Sequence, residues 1–118
     1  MHEFSLCEGI IQQVKRANHN QLTNISQVNI EVGKLAGVDL NSLTFWFPIV
    51  AGKFNVPELK LKVIEQDGLA KCNCCLQQFH LINLFDPCPH CASYGDYQIL
   101  QGREMLIKSF ALDLASSK

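Results

Sequence analysis

Five cysteines fall within a short stretch of the chain, and four of them form two pairs with the same internal spacing. Cys72 pairs with Cys75 and Cys88 pairs with Cys91, with two residues inside each pair. Two such turns can bring four thiolates to the corners of a tetrahedron, which is the geometry that Zn(II) adopts with sulfur ligands. The spacing therefore predicts a zinc site on these four cysteines.

Four protein ligands would fill the coordination sphere of this zinc, so no position would remain for a catalytic water. We therefore interpret the zinc as structural, binding a segment that is too small to form its own hydrophobic core. Buried cysteines without a metal would require two chance pairs at ligand spacing. A thiol oxidoreductase is disfavoured too, because such proteins normally use a single pair with one activated thiolate.

Four further residues have side chains that can bind metals. Cys74 is surplus, because pairing it with Cys75 would break the spacing; a packing or solvent-facing role is favoured over a regulatory or transient ligand. His80 and His90 flank the site, either as surface residues or as pH-dependent donors around the zinc. Cys7 lies on an apolar helical stripe and is interpreted as a core residue.

The chain begins with Met1, His2 and Glu3, whose combined donors can chelate a metal ion. The Met1 α-amine and the amide and imidazole nitrogens of His2 can close consecutive rings, and Glu3 adds an amide nitrogen or a carboxylate. Several nitrogens in one plane favour Ni(II) or Cu(II) over zinc. On these residues alone, a plain lead-in to the first helix is the simpler interpretation.

Helical periodicity of apolar residues predicts two helices. The first covers about residues 4–18 and has one buried stripe. The second follows Asp39, a residue type that is favoured as an N-cap. Pro48 lacks a backbone N–H and predicts a kink or an early end near Phe47.

Period-two alternation predicts strands in three parts of the chain, over residues 25–32, 58–65 and 103–114. Gly68 and Gly102 bracket the cysteine-rich segment. We expect an α+β fold in which a zinc-ribbon domain, residues 69–101, is inserted into a domain formed by residues 1–68 and 102–118. The insert also permits segment exchange between two chains, so both a monomer and a homodimer are compatible with the sequence.

Composition excludes several classes of function. The chain has 118 residues, 47% of them hydrophobic, and a formal net charge of −1, which is a poor match to nucleic acid or to an anionic membrane surface. No apolar run approaches the roughly 20 residues that span a bilayer. The amino terminus lacks a basic region ahead of an apolar stretch, so we expect a protein of the reducing cytoplasm.

Taken together, these features resemble the HypA/HybF family of nickel chaperones for hydrogenase maturation. The resemblance covers essentially the whole chain in order. Its most specific part is the combination of Met1-His2-Glu3 with the two cysteine pairs. The aromatic helix around residues 43–47, the flanking strands and the closing strand over 102–112 also match.

The resemblance implies a nickel-binding part, with two helices on a small sheet, and a zinc ribbon that interrupts its strands. It implies Ni(II) held through His2, with Met1 and Glu3 contributing backbone donors, and Zn(II) on the paired cysteines. It further implies delivery of nickel to the [NiFe]-hydrogenase large subunit precursor together with the GTPase HypB, or to urease through its accessory proteins. The protein would then be a chaperone and not an enzyme.

Three residues depart from the family pattern: Pro48 in the second helix, the extra Cys74, and Ala92, where many members have glycine. None of them is among the proposed nickel donors. The alternative function is a zinc-ribbon adaptor that binds nucleic acid or a protein partner. It is disfavoured for nucleic acid because the segment from Leu69 to Leu100 has only three formal charges, with a net of −1, and lacks basic stripes.

Overall fold

The computed structural model describes residues 2–113, without the side chain of His2. The element order confirms the predicted α+β class. In chain order the helices and strands are α1 (His2–Ala17), β1 (Ile25–Gly33), α2 (Leu40–Lys53), β2 (Lys60–Gln66), β3 (Leu69–Cys72), β4 (Gln78–His80), β5 (Tyr97–Gln101) and β6 (Met105–Leu112). None of the described helices is long and apolar enough to cross a membrane.

The chain packs into two compact units. One unit comprises residues 31–37 and 64–106, and the other comprises the remaining described residues. The predicted boundaries of the inserted domain, residues 69 and 101, thus lie inside the range 64–106. The segment 31–37, which the sequence placed with the helices, groups with the cysteine-rich unit. The division into two domains that fold separately stays a prediction.

The helical unit has its core between α1 and α2, which pack against each other. The apolar stripe of α1 is buried, as its spacing predicted, and comprises Cys7, Ile10, Ile11 and Val14. Strand β1 lies at the centre of the sheet β2-β1-β6 and alternates as expected, with Val28 and Ile30 fully buried. This alternation places the apolar face of the strand in the core and leaves the polar face to solvent.

Helix α2 begins as predicted but does not end near Phe47. The Asp39 carboxylate accepts hydrogen bonds from the backbone N–H groups of Asn41 and Ser42, at 3.1 and 3.3 Å, and so caps the helix. The helix then continues through Pro48 to Lys53, so the predicted early end is wrong. Pro48 is exposed, so water can satisfy the carbonyl that lost its donor. A kink within the continuous helix stays a prediction.

The cysteine-rich unit is built on the antiparallel sheet β4-β3-β5. Its small core combines two of the cysteines with apolar side chains: Ala70, Cys72, Phe79, Leu81 and Cys88. Phe79 also contacts Tyr97 edge to face, with ring centroids 5.8 Å apart. So few apolar residues make a marginal core, and the unit therefore needs the additional cross-links that a metal would supply.

Three glycines of this unit meet where its chain segments enter and leave. Gly102 has φ +104°, and an added Cβ there would lie 2.7 Å from the Cα of Gly68. A Cβ at Gly33 would fall on the carbonyl of Gly102. Close approach of backbones, together with a positive φ, therefore requires glycine at this junction.

Candidate metal centre

The structure brings the sulfurs of the four paired cysteines together in the second unit. All four sulfurs lie within 4.8 Å of one another. Cys72 Sγ is 3.6 Å from Cys91 Sγ, and Cys75 Sγ is 3.7 Å from Cys88 Sγ. A tetrahedron of sulfurs around zinc has edges of about 3.8 Å, since each Zn–S bond is about 2.3 Å. The cysteines therefore fit a zinc ion without rearrangement of the chain.

The first pair consists of the last residue of β3, Cys72, and Cys75 in the turn that follows. The Cys74 N–H donates to Cys72 Sγ at 3.3 Å, and the Leu76 N–H donates to the Cys72 carbonyl at 3.0 Å. Leu76 closes the turn with φ 64°, in the left-handed region. These bonds hold both sulfurs of the pair on one side of the turn, where they can bind the same ion.

The second pair repeats this geometry. The His90 N–H donates to Cys88 Sγ at 3.4 Å, the Ala92 N–H donates to the Cys88 carbonyl at 2.8 Å, and Ala92 has φ 63°. The position where many family members have glycine is thus left-handed here too, with an alanine in it. A side chain in this region costs roughly 1–2 kcal/mol, so the turn is strained.

Ser93 links the two pairs. Its Oγ lies 3.4 Å from Cys72 Sγ and 3.3 Å from Cys91 Sγ. Its carbonyl accepts a hydrogen bond from the Cys88 N–H at 2.9 Å. One serine therefore contacts a sulfur from each turn and is itself held by the backbone of the second.

Asp96, the residue before β5, forms hydrogen bonds with the first cysteine turn. Its carboxylate accepts a hydrogen bond from the Asn73 side-chain amide at 3.0 Å, and its carbonyl accepts one from the Asn73 N–H at 2.9 Å. The exposed thiol of Cys74 donates to the same carboxylate at 3.4 Å. Cys74 is therefore directed to Asp96 and lies outside the group of four, as its spacing predicted.

Three of the thiols have pKa values shifted in different directions. Hydrogen bonds from the Ser93 hydroxyl and from neighbouring backbone N–H groups lower the pKa of Cys72 to about 6, and Ser93 also lowers the pKa of Cys91. A Gln77 backbone hydrogen bond acts to lower the pKa of Cys75, but burial and the adjacent sulfurs outweigh it and raise that pKa to about 12. Donors thus stabilise negative charge first on the sulfurs beside Ser93.

Neither predicted histidine belongs to the four-sulfur group. His80 is exposed on β4 and pairs in register with Leu69 of β3. The backbone N–H of His90 donates a hydrogen bond to Cys88 Sγ, and His90 is exposed to solvent. A role for either imidazole as a pH-dependent ligand stays a prediction.

Two of the three residues predicted to bind nickel, His2 and Glu3, begin α1. Met1 and the side chain of His2 lie outside the described part of the chain. The Glu3 carboxylate accepts a hydrogen bond from the backbone N–H of Asp39 at 3.3 Å, which attaches the first turn of α1 to the residue that caps α2. The Glu3 side chain thus has a structural partner.

Aromatic contacts hold the same first turn. The Phe4 ring meets Trp46 of α2 edge to face, with centroids 5.4 Å apart, and Lys53 Nζ lies 4.9 Å from the centre of the Phe4 ring. Contacts to the middle and to the last residue of α2 therefore hold the first turn of α1.

Cys7 has the core position predicted for it. Its side chain is fully buried, and its thiol donates to the Leu43 carbonyl at 3.6 Å. Burial, with a smaller contribution from the Glu3 carboxylate, raises the pKa of Cys7 to about 11. The thiol therefore stays protonated near neutral pH, which makes it a poor metal ligand.

Ser93 and Asp96 were missed by the sequence interpretation. Ser93 follows Cys91 by two residues, which is the one local signal for its contact with sulfur. Its approach to Cys72, and that of Asp96 to Asn73, depend on the pairing of β3 with β5. Sequence spacing carries no information about that register.

Comparison with known proteins gives a match along nearly the whole chain. A family model described as "Hydrogenase/urease nickel incorporation, metallochaperone, hypA" matches residues 1–112. A protein of Francisella philomiragia named hydrogenase maturation factor HypA is 39% identical over 113 residues, which is 96% of this chain and all of that protein. A protein of Alkalilimnicola ehrlichii with the same name is 36% identical over 114 residues, with the same coverage.

Two solution structures share the fold. The Ni metallochaperone HypA from Helicobacter pylori superposes with a TM-score of 0.62 at 22% identity, over 93% of this chain and 96% of that one. A second structure, titled HypA protein, gives a TM-score of 0.64 at 24% identity, over 95% of this chain and 96% of that one. The two-helix and cysteine-rich architecture is therefore shared despite low sequence identity.

Proposed function

From the premise that the chain belongs to the HypA family, and is a nickel metallochaperone of hydrogenase maturation and not an enzyme, we propose how it carries its ion. One Ni(II) binds at the amino terminus through the Met1 amine, the His2 amide and imidazole, and the Glu3 amide. The ion is then passed to the hydrogenase large subunit precursor. One Zn(II) stays on Cys72, Cys75, Cys88 and Cys91.

The contact between Glu3 and Asp39 is the observation that carries the nickel proposal. Because the Glu3 carboxylate is hydrogen-bonded to the Asp39 N–H, the first turn of α1 is positioned without a metal. Because α1 begins at His2, the first backbone N–H groups have no intrahelical acceptor. The amide nitrogens of His2 and Glu3 are therefore free of the helix ladder and can be deprotonated by a metal that prefers planar nitrogen ligands.

The same placement suits an ion that must leave. The N-terminal end of a helix favours negative charge and disfavours a cation by roughly 0.3–1 kcal/mol. The proposed donors come from three consecutive residues at a chain end, so no enclosing cage has to open. The cysteine unit contrasts with this, because its ligands come from two turns joined by further hydrogen bonds, which suits a resident zinc that holds the unit together.

Partners follow from the family only as proposals. We expect a HypB-type GTPase to act with this chain in the cytoplasm, and the hydrogenase precursor to receive the nickel; urease accessory proteins are a second destination. Copurification with a tagged HypB from the same organism tests the first. Loss of hydrogenase activity, but not of urease activity, in a deletion strain would assign the target.

A nickel titration tests the terminal chelate. Calorimetry would compare the wild type, His2→Ala, and a variant with two residues added before Met1. Both changes are expected to weaken Ni(II) binding by at least about tenfold, since even the loss of a group that only supports a metal ligand typically costs that much. Zinc content should stay the same in all three proteins.

Glu3→Gln is the matched control, since it keeps the backbone nitrogen and an oxygen that can accept from Asp39. Nickel affinity equal to that of the wild type is expected if Glu3 contributes only its amide. Unchanged affinity in both His2→Ala and the extended variant would overturn the terminal site.

A further inference from the structure

We infer that Ser93 is a positioning residue of the zinc site, whose hydroxyl donates a hydrogen bond to the thiolates of Cys72 and Cys91 and joins the two cysteine turns. This inference rests on the zinc site of the proposed function and goes beyond it. Ser93 is not a ligand in this account. It acts on two of the ligands, one from each pair.

The direction of these hydrogen bonds follows from the chemistry of the sulfurs. A zinc-bound thiolate has no proton, so the Ser93 hydroxyl is the donor to Cys72 Sγ at 3.4 Å and to Cys91 Sγ at 3.3 Å. A hydroxyl has one proton and can donate it to one sulfur at a time. Ser93 is thus shared between the two thiolates, which are themselves 3.6 Å apart.

The backbone of Ser93 is fixed independently of its side chain. Its carbonyl accepts from the Cys88 N–H at 2.9 Å, and Pro87 pairs with Tyr94 in a short bridge beside it. Removing the hydroxyl while keeping Cβ should therefore leave the turn in place. The effect of losing the hydroxyl can therefore be measured without disrupting the turn.

Four thiolates and one Zn(II) together have a charge of about −2, in a unit where Cys72 and Cys88 are buried. A donor hydrogen bond stabilises charge on sulfur and lowers the energy of its lone pairs. The Ser93 hydroxyl provides this to the sulfurs of Cys72 and Cys91 but makes no described hydrogen bond to the sulfur of Cys75 or Cys88. We therefore expect zinc release to begin at Cys75 and Cys88.

The test uses the full chain loaded with zinc or with Co(II), in the wild type, Ser93→Ala, Ser93→Thr and Tyr94→Phe. Zinc release to an excess of a chromophoric chelator gives a rate, and the sulfur-to-cobalt charge-transfer band gives a spectroscopic signature. Ser93→Ala should release zinc roughly tenfold faster, at the lower end of the range for groups that support metal ligands. Its charge-transfer band should move to lower energy.

Ser93→Thr keeps the hydroxyl and should restore both readouts. Tyr94→Phe removes the next hydroxyl along the chain, which is exposed, and should behave as the wild type. A wild-type rate and band in Ser93→Ala would overturn the inference, and so would a threonine variant as labile and as shifted as the alanine one.

Native mass spectrometry of the wild type separates this outcome from a failure of the proposed zinc site. If the wild type holds no zinc, the zinc assignment itself fails, and this inference is overturned with it. If the wild type holds one zinc and the alanine variant matches it in both readouts, only the role of Ser93 is lost.

Discussion

The two regions proposed to bind metals, the cysteine unit and the amino terminus, differ in how much of the donor set is fixed by hydrogen bonds. In the cysteine unit, two turns of the same geometry direct their sulfurs toward one point, and Ser93 contacts a sulfur from each. At the amino terminus, the contact from Glu3 to Asp39 and the packing of Phe4 on Trp46 hold the first helical turn. The proposed nickel donors precede or begin that turn.

Under the proposed function, this difference would separate a resident zinc from a transferable nickel. Ligands that are distant in sequence and joined by hydrogen bonds must be released together, which slows dissociation. Ligands that are consecutive at a chain end can be released one at a time. We therefore expect retention of the metal ion to depend on how its ligands are linked to one another as much as on their chemical softness.

The largest expected effect is that of removing a zinc ligand. Cys75→Ser should weaken zinc binding by more than roughly 100-fold and unfold the cysteine unit, whose apolar core is small. The α-helical circular dichroism of α1 and α2 should remain. Nuclear magnetic resonance of the amide groups would show which unit loses its dispersed signals.

Cys74→Ser is the control for that experiment, because its thiol is exposed and donates to Asp96. Zinc content and dispersed signals should match the wild type. If instead the Cys74→Ser variant lost its zinc and the Cys75→Ser variant retained it, the assignment of the four ligands would be wrong.

Acid should remove nickel from the amino terminus. The α-amine has an ordinary pKa of about 7.7–8.0 and the imidazole about 6.5, and both must lose a proton to bind. Affinity should therefore fall as pH drops below about 7: once both donors are protonated, their two protons alone cost approximately 100-fold per pH unit, and the amide protons that nickel also displaces make the fall steeper. Calorimetric titrations between pH 8 and 6 measure this slope, and a flat profile would exclude these donors.

Glycine at the two left-handed turn positions should stabilise the zinc-loaded unit. Ala92→Gly relieves the cost of a side chain at φ 63° and should raise the free energy of unfolding by about 0.5–1 kcal/mol. Leu76→Gly should act in the same direction, since Leu76 is 65% exposed and loses little burial. Thermal unfolding of the zinc-loaded protein measures both.

Gly95→Ala is the reverse control. Gly95 has φ +70°, and an added Cβ there would have no atom within 4 Å. Alanine at this position would therefore cost backbone strain without any steric clash. It should lower the melting temperature. Equal melting temperatures for all three variants and the wild type would show that these turns are not strained.

The smallest expected effect concerns the ion pair between Lys34 and Asp67, whose charged atoms are 2.8 Å apart. The hydrogen bond and charge of Lys34 lower the pKa of Asp67 from 3.8, and those of Asp67 raise the pKa of Lys34 from 10.5. Stabilisation by the pair is thus present between these two values. It is lost as pH falls through the lowered pKa of Asp67 or rises through the raised pKa of Lys34.

Asp67→Asn should lower the melting temperature slightly at pH 7 and less at a pH below the lowered pKa of Asp67, and high salt should shrink the difference. The effect is small because both side chains are about half exposed. A loss of stability that is equal at both pH values would assign Asp67 a role other than its charge.

Sequence reasoning succeeded where the signal was local. The clustering of Cys72, Cys75, Cys88 and Cys91 was predicted from their spacing, and the Asp39 cap was predicted from its place before an apolar helical pattern. The cap and the turn within each cysteine pair depend on contacts within a few residues. Burial of Cys7 followed from its position on the helical stripe.

It was incomplete where tertiary packing decides. Pro48 has a strong local preference against a helix interior, but buried residues on both sides, Phe47 and Val50, keep α2 continuous. Grouping of 31–37 with the cysteine unit depends on Leu35 packing on its core, which no periodicity shows. Ser93 and Asp96 reach their partners only through strand pairing.

Native mass spectrometry with metal analysis tests the central claim most directly, applied to the wild type, His2→Ala and Cys75→Ser after loading with both ions. One zinc and one nickel are expected on the wild type, zinc alone on His2→Ala, and nickel without zinc on Cys75→Ser. Nickel that persisted on His2→Ala and disappeared from Cys75→Ser would contradict the account, because the transferable ion would then belong to the cysteines.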